Sequence, residues 1–260
     1  MIDVRRIELA EKLADAAGEI VLKYFRGDIR AEYKESASPI VTIADTEIEA
    51  ELRNIIMKED PEAGIIGEEF GSVTGKNGYT WILDPIDGTI AFSTGKPLFA
   101  TLIGLFYDDK PELGVIDQAY TRERWVGLTG VQSKFNGVTI NSASETDLKK
   151  CKLSTTSPGM FQSDEEKEIF NKLTSSVHIT SYGGDAYQYA LCAMGNIDIV
   201  IEKYLSLHDW AALVPVIKGA GGIITDWKGN ELVKGSSGDV IVTGNPVLHD
   251  KVLSLINGKG

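Results

Sequence analysis

The spacing of apolar residues changes along this chain, and the change limits which architectures it can adopt. Residues 3–25 and 44–58 carry apolar side chains at positions i, i+3 and i+4, as core-facing helices do. The segments that follow are short apolar runs bounded by Gly, Pro, Asn or Asp, which indicate strands: 64–67, 79–84, 98–107, 113–120 and 124–129. The first half is therefore predicted to be two helices on a mainly antiparallel sheet.

After about residue 137 strand-like and helix-like segments alternate. The predicted strands are 151–156, 177–180, 197–202, 221–227 and 239–244, and the predicted helices are 164–174, 185–194, 209–218 and one that begins at Pro246. Alternation of this kind is typical of an α/β layer in which helices cover a sheet. We therefore predict two closely joined halves, an α+β half over residues 1–137 and an α/β half over residues 138–260.

The composition narrows the class of ligand. The 260 residues carry a formal net charge of -12, which disfavours nucleic acid as a partner because its phosphates are bound by Lys and Arg, and which suits cations. The N-terminal segment carries charges throughout, and no run approaches the roughly 20 apolar residues that cross a bilayer. With only Cys151 and Cys192 present and no CxxC pair, we expect a cytoplasmic enzyme with reduced thiols and no membrane partner.

The segment WILDPIDGT at residues 81–89 ends an apolar run on two carboxylates. Asp84 and Asp87 lie where the predicted strand ends, and Gly88 permits a tight approach of the backbone. Two carboxylates this close repel each other unless a cation lies between them. A helix or turn that starts at Thr89 would point free backbone N–H groups outward, as an anion site requires. The alternative is an exposed turn in which Asp caps a helix.

Further acidic residues stand at the ends of other predicted core elements. Glu68 and Glu69 follow the first short strand, and Asp209 opens a predicted helix, where a helix N-cap is the alternative role. Oxygen ligands without a His or Cys cluster favour Mg²⁺ over zinc or copper. DPIDGT also lacks the alternating pattern of an EF-hand loop. His208, beside Asp209, is expected to pack or orient rather than to bind metal.

These motifs together resemble a known family. GEE at 67–69, WILDPIDGT at 81–89, HDWAA at 208–212 and GAGG at 219–222 are similar to segments of the inositol monophosphatase family, which are Mg²⁺-dependent phosphomonoesterases. The resemblance covers nearly the whole chain. It implies a layered αβαβα sandwich of the inositol monophosphatase and fructose-1,6-bisphosphatase type, usually a homodimer, with the site between the two halves.

The resemblance also implies which residues bind two or three Mg²⁺ ions. Glu68, Asp84 and the carbonyl of Ile86 would hold the first metal, and Asp84, Asp87 and Asp209 the second. Metal ions of this kind neutralise the anionic oxygens of a phosphate ester and lower the pKa of bound water. Two ions, one at the nucleophile and one at the leaving oxygen, would clamp an in-line displacement without a covalent phosphoenzyme.

The resemblance also implies which residues bind the phosphate group and which orient the attacking water. Gly88 and Thr89 match residues that bind phosphate through backbone N–H groups, and the Thr89 hydroxyl would orient the attacking water. Asp45 matches a residue that assists the nucleophile and a weaker third metal, and Lys34 lies in an adjacent mobile loop. Glu68, Thr89 and Asp45 are therefore the expected catalytic groups.

The substrate is indicated by residues outside the metal set. Segments 94–105, 181–191 and 208–227 look more like the histidinol-phosphate phosphatase branch of the family than like inositol phosphatases. Asp185 could pair with the amine of histidinol phosphate, and its alternative role is a helix N-cap. Glu202 matches a substrate-contact position, and its alternative is a solvated strand end. The expected substrate-binding residues are Asp87, Gly88, Thr89, Asp185, Glu202 and Asp209.

One segment departs from that branch. Where its members commonly have a basic residue and then Ser before Phe, this chain has Ile90 and Ala91. The first hypothesis is a Mg²⁺-dependent phosphatase of L-histidinol phosphate, and the second is an inositol-1-phosphatase of broad specificity. A third, from another class, is a protein-binding regulator. The intact acidic set argues against a loss of catalysis.

Overall fold

The computed structural model describes residues 2–27, 31–33 and 40–258, with strands 31–33 and 40–42 described by their backbone alone. Lys34 lies outside the described residues. The first half contains these elements: α1 (Val4–Tyr24), β1 (Ala31–Tyr33), β2 (Ile40–Thr42), α2 (Ile43–Glu59), β3 (Gly64–Gly67), β4 (Gly71–Val73), β5 (Tyr79–Asp87), α3 (Thr89–Ser93), β6 (Ala100–Tyr107), β7 (Lys110–Gln118), β8 (Glu123–Leu128), β9 (Val131–Phe135) and β10 (Val138–Thr139).

The second half contains these elements: β11 (Lys152–Thr155), α4 (Asp164–Ser176), β12 (Ile179–Tyr182), α5 (Asp185–Ala193), β13 (Ile199–Glu202), α6 (Leu207–Ala211), α7 (Leu213–Gly219), β14 (Ile223–Asp226), β15 (Val240–Thr243) and α8 (Pro246–Ile256). Short 3₁₀ turns cover Leu148–Lys150 and Pro158–Met160. Among the helices in the described ranges, none combines the length and apolar character that crossing a bilayer requires.

The first sheet is almost entirely antiparallel, as the sequence predicts. Its strand order is β10-β9-β8-β7-β6-β5-β3-β4, together eight strands, and β3 with β5 is the parallel pair. The strands β1 and β2 form a separate antiparallel pair. Helices α1 and α2 pack on one face of the large sheet, where Leu13 and Leu52 belong to the same buried cluster as Trp81 and Ile103.

The second sheet is mixed, with the order β12-β11-β13-β15-β14. Strand β11 runs parallel to β12 and β13, whereas β15 runs antiparallel to β13 and β14. Helices α4 and α8 cover its outer face through a cluster that includes Leu173, Val252 and Ile241. Helices α5, α6 and α7 fill the space between the two sheets, where Tyr189 and Val216 share a buried cluster with residues of both.

These five layers confirm the αβαβα sandwich. The close packing of α7 on the first sheet depends on glycine, because a Cβ on Gly114 would lie 1.9 Å from the carbonyl oxygen of Ala212. The division near residue 137 stays a prediction: β10, which ends at Thr139, still pairs with β9, and the second sheet begins at β11.

The helix predicted over residues 209–218 is two helices, which is a correction. Helix α6 ends at Ala211 and α7 begins at Leu213. Pro215 lies in the first turn of α7, where its missing N–H costs no hydrogen bond, so a new helix starts just before it. Strands β4, β9 and β10 were not predicted because they are short and largely exposed, which leaves little apolar pattern.

Two N-cap alternatives are also wrong. Helix α6 is capped by Ser206, and Asp209 is its third residue, whose Oδ2 accepts the Ser206 N–H at 2.6 Å in a capping box. Helix α5 is preceded by Gly184 at the cap position, and Asp185 has the left-handed φ of 41°. Neither aspartate therefore occupies the N-cap position of its own helix.

Candidate active site

A bulge in β5 brings two aspartates to the same face of the sheet. Asp84 lies opposite Leu102 of β6 and Asp87 opposite Ala100, so the two residues between the aspartates face one residue, Thr101. The Thr101 hydroxyl donates to the carbonyl oxygen of Pro85 at 2.8 Å. In a regular strand residues three apart face opposite sides, and the extra residue of a bulge removes that reversal. Both carboxylates therefore face the central helix layer.

Helix α6 adds a third carboxylate. The side chains of Asp84, Asp87 and Asp209 each offer an oxygen, and these oxygens lie within 4.8 Å of one another. The capping box with Ser206 fixes Asp209, and His208 Nε2 lies 3.4 Å from Asp209 Oδ1. The orienting role of His208 stays a prediction. The three aspartates come from both halves of the chain.

One oxygen atom of this trio is buried without a hydrogen-bond partner. Asp84 is 1% exposed, and within the described part of the chain its Oδ1 has no hydrogen-bond partner. A buried carboxylate oxygen without a partner is costly, whereas a cation would satisfy it. The donor set consists of hard oxygen ligands, so these residues fit Mg²⁺.

Glu68 and Asp45 interact electrostatically with this trio. Glu68 lies in the turn between β3 and β4, outside the close trio of aspartates, and its charge acts on Asp84. Asp45 lies in the first turn of α2, is 1% exposed, and interacts electrostatically with Glu68 and Asp84. The structure thus brings together the four side chains predicted to bind the metals, and Asp45 with them.

Crowded acidic groups change the titration of the site. Burial, with the repulsion of neighbouring carboxylates, raises the pKa of Glu68 to about 7. Burial also raises the pKa of Asp209 to about 6. The pKa values of Asp84 and Asp87 lie well above the usual range, first through burial and then through repulsion by Glu68 and Asp185 respectively. A divalent cation among these groups would offset this repulsion.

The turn after β5 holds the residues predicted to bind phosphate. Gly88 has a φ of +83°, which a residue with a side chain adopts only with strain. Thr89 follows at the first position of α3, and its hydroxyl donates to the carbonyl oxygen of Ile86 at 3.1 Å. Because the hydroxyl proton is engaged there, the Thr89 oxygen is oriented to accept a hydrogen bond, for example from a water molecule.

Helix α5 begins against this turn. A Cβ on Gly88 would lie 3.1 Å from Asp185 Oδ2, so the Asp185 carboxylate lies beside the glycine, in the space that a side chain at residue 88 would approach. The Asp185 N–H donates to Thr156 Oγ1 at 3.1 Å, and the Ala186 N–H donates to Asp87 Oδ2 at 2.5 Å. These bonds tie the start of α5 to the end of β5 and place Asp185 beside the predicted phosphate site.

Glu202 is buried behind Asp185. It is 2% exposed; its Oε1 accepts the Thr156 N–H and the Gln188 side-chain amide, each at 2.8 Å, and its Oε2 accepts the Tyr189 hydroxyl at 2.9 Å. The alternative of a solvated strand end is therefore wrong, and direct substrate contact by Glu202 stays a prediction. Burial and then the charge of Glu202 raise the pKa of Asp185 to about 6.

Sequence reasoning missed one residue that contacts the site's backbone. Glu49 is a fully buried carboxylate on α2 that accepts N–H groups of Glu69 and Phe70. It falls four residues after Asp45 and four before Arg53, on the buried face of the helix. An acidic residue on an otherwise apolar helix face, four residues from Asp45, is the sequence feature that could have indicated a role for Glu49.

Comparison with known proteins agrees with this geometry. Residues 4–259 match the model of the inositol monophosphatase family. The chain is 46% identical over 233 residues to the bifunctional phosphatase IMPL2, chloroplastic, of Arabidopsis thaliana, which covers 89% of this chain and 67% of that protein. It is 36% identical over 256 residues to a histidinol-phosphatase of Mycobacterium tuberculosis, 96% of each chain.

A solved structure extends the similarity to three dimensions. An inositol monophosphatase from Zymomonas mobilis superposes with a TM-score of 0.88 at 41% identity, covering 97% of both chains. The match runs through both halves and both sheets. The chain therefore belongs to the inositol monophosphatase family of metal-dependent phosphatases, and it is an enzyme that hydrolyses phosphate monoesters.

Proposed function

We propose that this phosphatase uses Mg²⁺ to hydrolyse L-histidinol phosphate to histidinol and phosphate. The observation that carries the proposal is that the Asp185 carboxylate lies beside Gly88, the glycine of the predicted phosphate-binding turn. A substrate whose phosphate lies on this turn presents its adjoining carbon chain to Asp185. An ammonium group on that chain would form a charge-assisted hydrogen bond with the carboxylate.

The charge around Asp185 supports a cationic substrate. The pKa of Asp185 is raised to about 6 because the carboxyl is buried and Glu202 lies behind it. A nearby ammonium group favours the ionised carboxylate and offsets this cost. The hydroxyl groups of inositol phosphate carry no positive charge, so they offer the carboxylate a weaker partner.

The metals are assigned as the family resemblance implies. We assign Glu68, Asp84 and the Ile86 carbonyl to one Mg²⁺ ion, and Asp84, Asp87 and Asp209 to a second. The close approach of the three aspartate oxygens and the unpartnered Asp84 Oδ1 support the assignment. When bound, Mg²⁺ supplies positive charge that offsets the anionic oxygens of the ester and makes water more acidic.

The chain's own groups position the reactants. The Thr89 hydroxyl, which donates to the Ile86 carbonyl, accepts a hydrogen bond from the attacking water and thereby directs a lone pair of that water toward phosphorus. Asp45, which interacts electrostatically with Glu68 and Asp84, assists the nucleophile and would help to hold a weaker third metal. The backbone N–H groups of Gly88 and Thr89 bind the phosphate oxygens, while Asp185 holds the substrate amine.

A specific observation favours a second candidate substrate, inositol 1-phosphate. Ile90 and Ala91 depart from the histidinol branch, and the Zymomonas mobilis structure at 41% identity is named an inositol monophosphatase. Phosphate release from L-histidinol phosphate and myo-inositol 1-phosphate, measured in parallel with Mg²⁺ and with a chelator, tests both. The proposal expects a clear preference for histidinol phosphate, and a large preference for inositol phosphate would replace it.

We also propose a cytoplasmic homodimer in which each active site lies between the two halves of one chain. The buried cysteines Cys151 and Cys192 are both free, as a reducing compartment favours. Sedimentation of the purified protein measures the oligomeric state, and a single monomeric species would contradict the dimer.

A further inference from the structure

A buried carboxylate on α2 contacts the turn that carries Glu68. Glu49 is 0% exposed and lies one helical turn after Asp45. Strands β3 and β4 pair up to Gly67 and Gly71, and the turn between them consists of residues 68–70. Every group that holds this turn therefore also holds the position of Glu68.

The backbone N–H groups of the turn have named partners. The Glu69 N–H donates to Glu49 Oε2 at 2.7 Å, and the Phe70 N–H donates to Glu49 Oε1 at 3.1 Å. The Glu68 N–H donates to the carbonyl oxygen of Leu83 on β5 at 3.3 Å. One side chain thus binds the two N–H groups that follow Glu68, in the way that a carboxylate binds backbone donors at a helix N-cap.

Two neighbours fix the carboxylate itself. A Cβ on Gly67 would lie 2.0 Å from Glu49 Oε1, so this position accommodates only glycine while Glu49 stays in place. Arg53 Nε donates to Glu49 Oε1 at 2.7 Å, and Arg53 Nη2 donates to the carbonyl oxygen of Gly71. The Glu49–Arg53 pair therefore contacts the turn at both of its ends.

We infer that Glu49 is a positioning residue for Glu68, which sets the affinity of the site for its metal without touching the metal. The inference rests on the proposed function, in which Glu68 is a metal ligand. Groups that orient metal ligands through hydrogen bonds change metal affinity or activity by about 10–100-fold when they are replaced. Glu49 binds the two backbone N–H groups that follow Glu68, so its loss allows the ligand to move.

The substitution Glu49→Gln tests this role with little change of shape. Glutamine has one acceptor oxygen, so its NH₂ group must face either the Glu69 N–H or the donors of Phe70 and Arg53. We expect calorimetric titration without substrate to show Mg²⁺ or Mn²⁺ affinity reduced about tenfold or more. The Mg²⁺ concentration for half-maximal activity should rise by the same factor, with kcat largely recovered at saturating Mg²⁺.

A second variant disturbs the same contact from the other side. Gly67→Ala places its methyl group against Glu49 Oε1, so it should weaken metal binding in the same direction. It also decides the question if Glu49→Gln fails to fold. Metal affinity within twofold of the parent enzyme in a folded variant of either kind would overturn the inference.

The matched control is Asp198→Asn. Asp198 is 3% exposed and its Oδ2 accepts the Lys152 N–H at 2.7 Å, so it too is a buried carboxylate bound to backbone. It precedes β13 at the end opposite Glu202, and its replacement should lower the melting temperature without changing metal affinity. The variant Glu68→Gln separates the two proposals. If its metal affinity is unchanged, the assignment of Glu68 as a ligand is contradicted. If metal affinity falls in Glu68→Gln but not in Glu49→Gln, only the positioning role of Glu49 is contradicted.

Discussion

The substitution Asp185→Asn tests whether the carboxylate beside Gly88 recognises a substrate cation. Asparagine keeps the size of the side chain, and the backbone N–H that donates to Thr156 is unaffected. Only the negative charge and one acceptor oxygen are lost. Removing the charge also relieves repulsion on Asp87, so the substitution has a second effect that every substrate would experience.

The expected magnitude follows from the partial burial of this contact. A hydrogen bond to a charged group contributes about 1.5–3 kcal/mol, and each 1.36 kcal/mol corresponds to a tenfold change in rate. For a half-buried carboxylate with Glu202 behind it, we expect kcat/KM for histidinol phosphate to fall about 10–100-fold. An ester that lacks the amine should change by less than about threefold, because its contact with residue 185 involves no ion pair.

The assay is a cycle of two enzymes and two substrates. Phosphate release is measured for the parent and Asp185→Asn enzymes with histidinol phosphate and with its deaminated analogue, at saturating Mg²⁺. The coupling between the amine and the carboxylate is obtained by dividing the loss of kcat/KM for histidinol phosphate by the loss for the deaminated analogue. The reduced repulsion on Asp87 affects both substrates and therefore cancels in this ratio. Equal losses for both substrates, or no loss for either, would refute recognition of the amine by Asp185.

Substitutions at three further positions have outcomes that the structure specifies. Asp84→Asn should reduce kcat by orders of magnitude while raising the melting temperature of the metal-free enzyme, because it removes a buried charge repelled by Glu68 and Asp87; an unaltered rate would exclude Asp84 as a ligand. Thr89→Val should lower kcat more than it changes KM, and Thr89→Ser should retain most activity; equal effects of the two would exclude a role for the hydroxyl. His249, buried between Thr225 and Thr243, has its pKa lowered by burial from 6.5 to about 4, so the neutral form is the one that folding favours. The contribution of neutral His249 to the free energy of unfolding is therefore fully present above pH 6.5. It is lost as the pH falls toward 4, by about 3 kcal/mol in total. In His249→Gln, the free energy of unfolding should depend less on pH over this range.

The fold was predictable where local pattern and burial agree. The α1 and α2 helices, the antiparallel run and the later alternation all follow from apolar spacing, which records which face of each element is buried. The errors have local causes as well. Ser206 stands three residues before Asp209, a capping-box spacing that would have started α6 earlier, and Pro215 marks the break before α7.

The site was predictable in its residues and not in its geometry. The spacing of Asp84 and Asp87 is informative only because Pro85 and Ile86 form a bulge, and the pairing of β5 with β6 that creates the bulge is a long-range property. The same holds for Glu49, whose partners lie about twenty residues away in the turn after β3. Residue types indicate the chemistry, whereas tertiary contacts decide which face each carboxylate occupies.

Three of the site's carboxyl-bearing segments are held in the same way, by hydrogen bonds to backbone N–H groups. Asp87 accepts from Ala186 and Asp209 from Ser206, while the turn of Glu68 is bound by Glu49. Such bonds fix position but leave much of the repulsion between the carboxylates in place, as the raised pKa values of Asp84 and Asp87 indicate. A site built this way is preorganised and remains destabilised until a cation binds, so metal binding should stabilise the fold as well as enable hydrolysis.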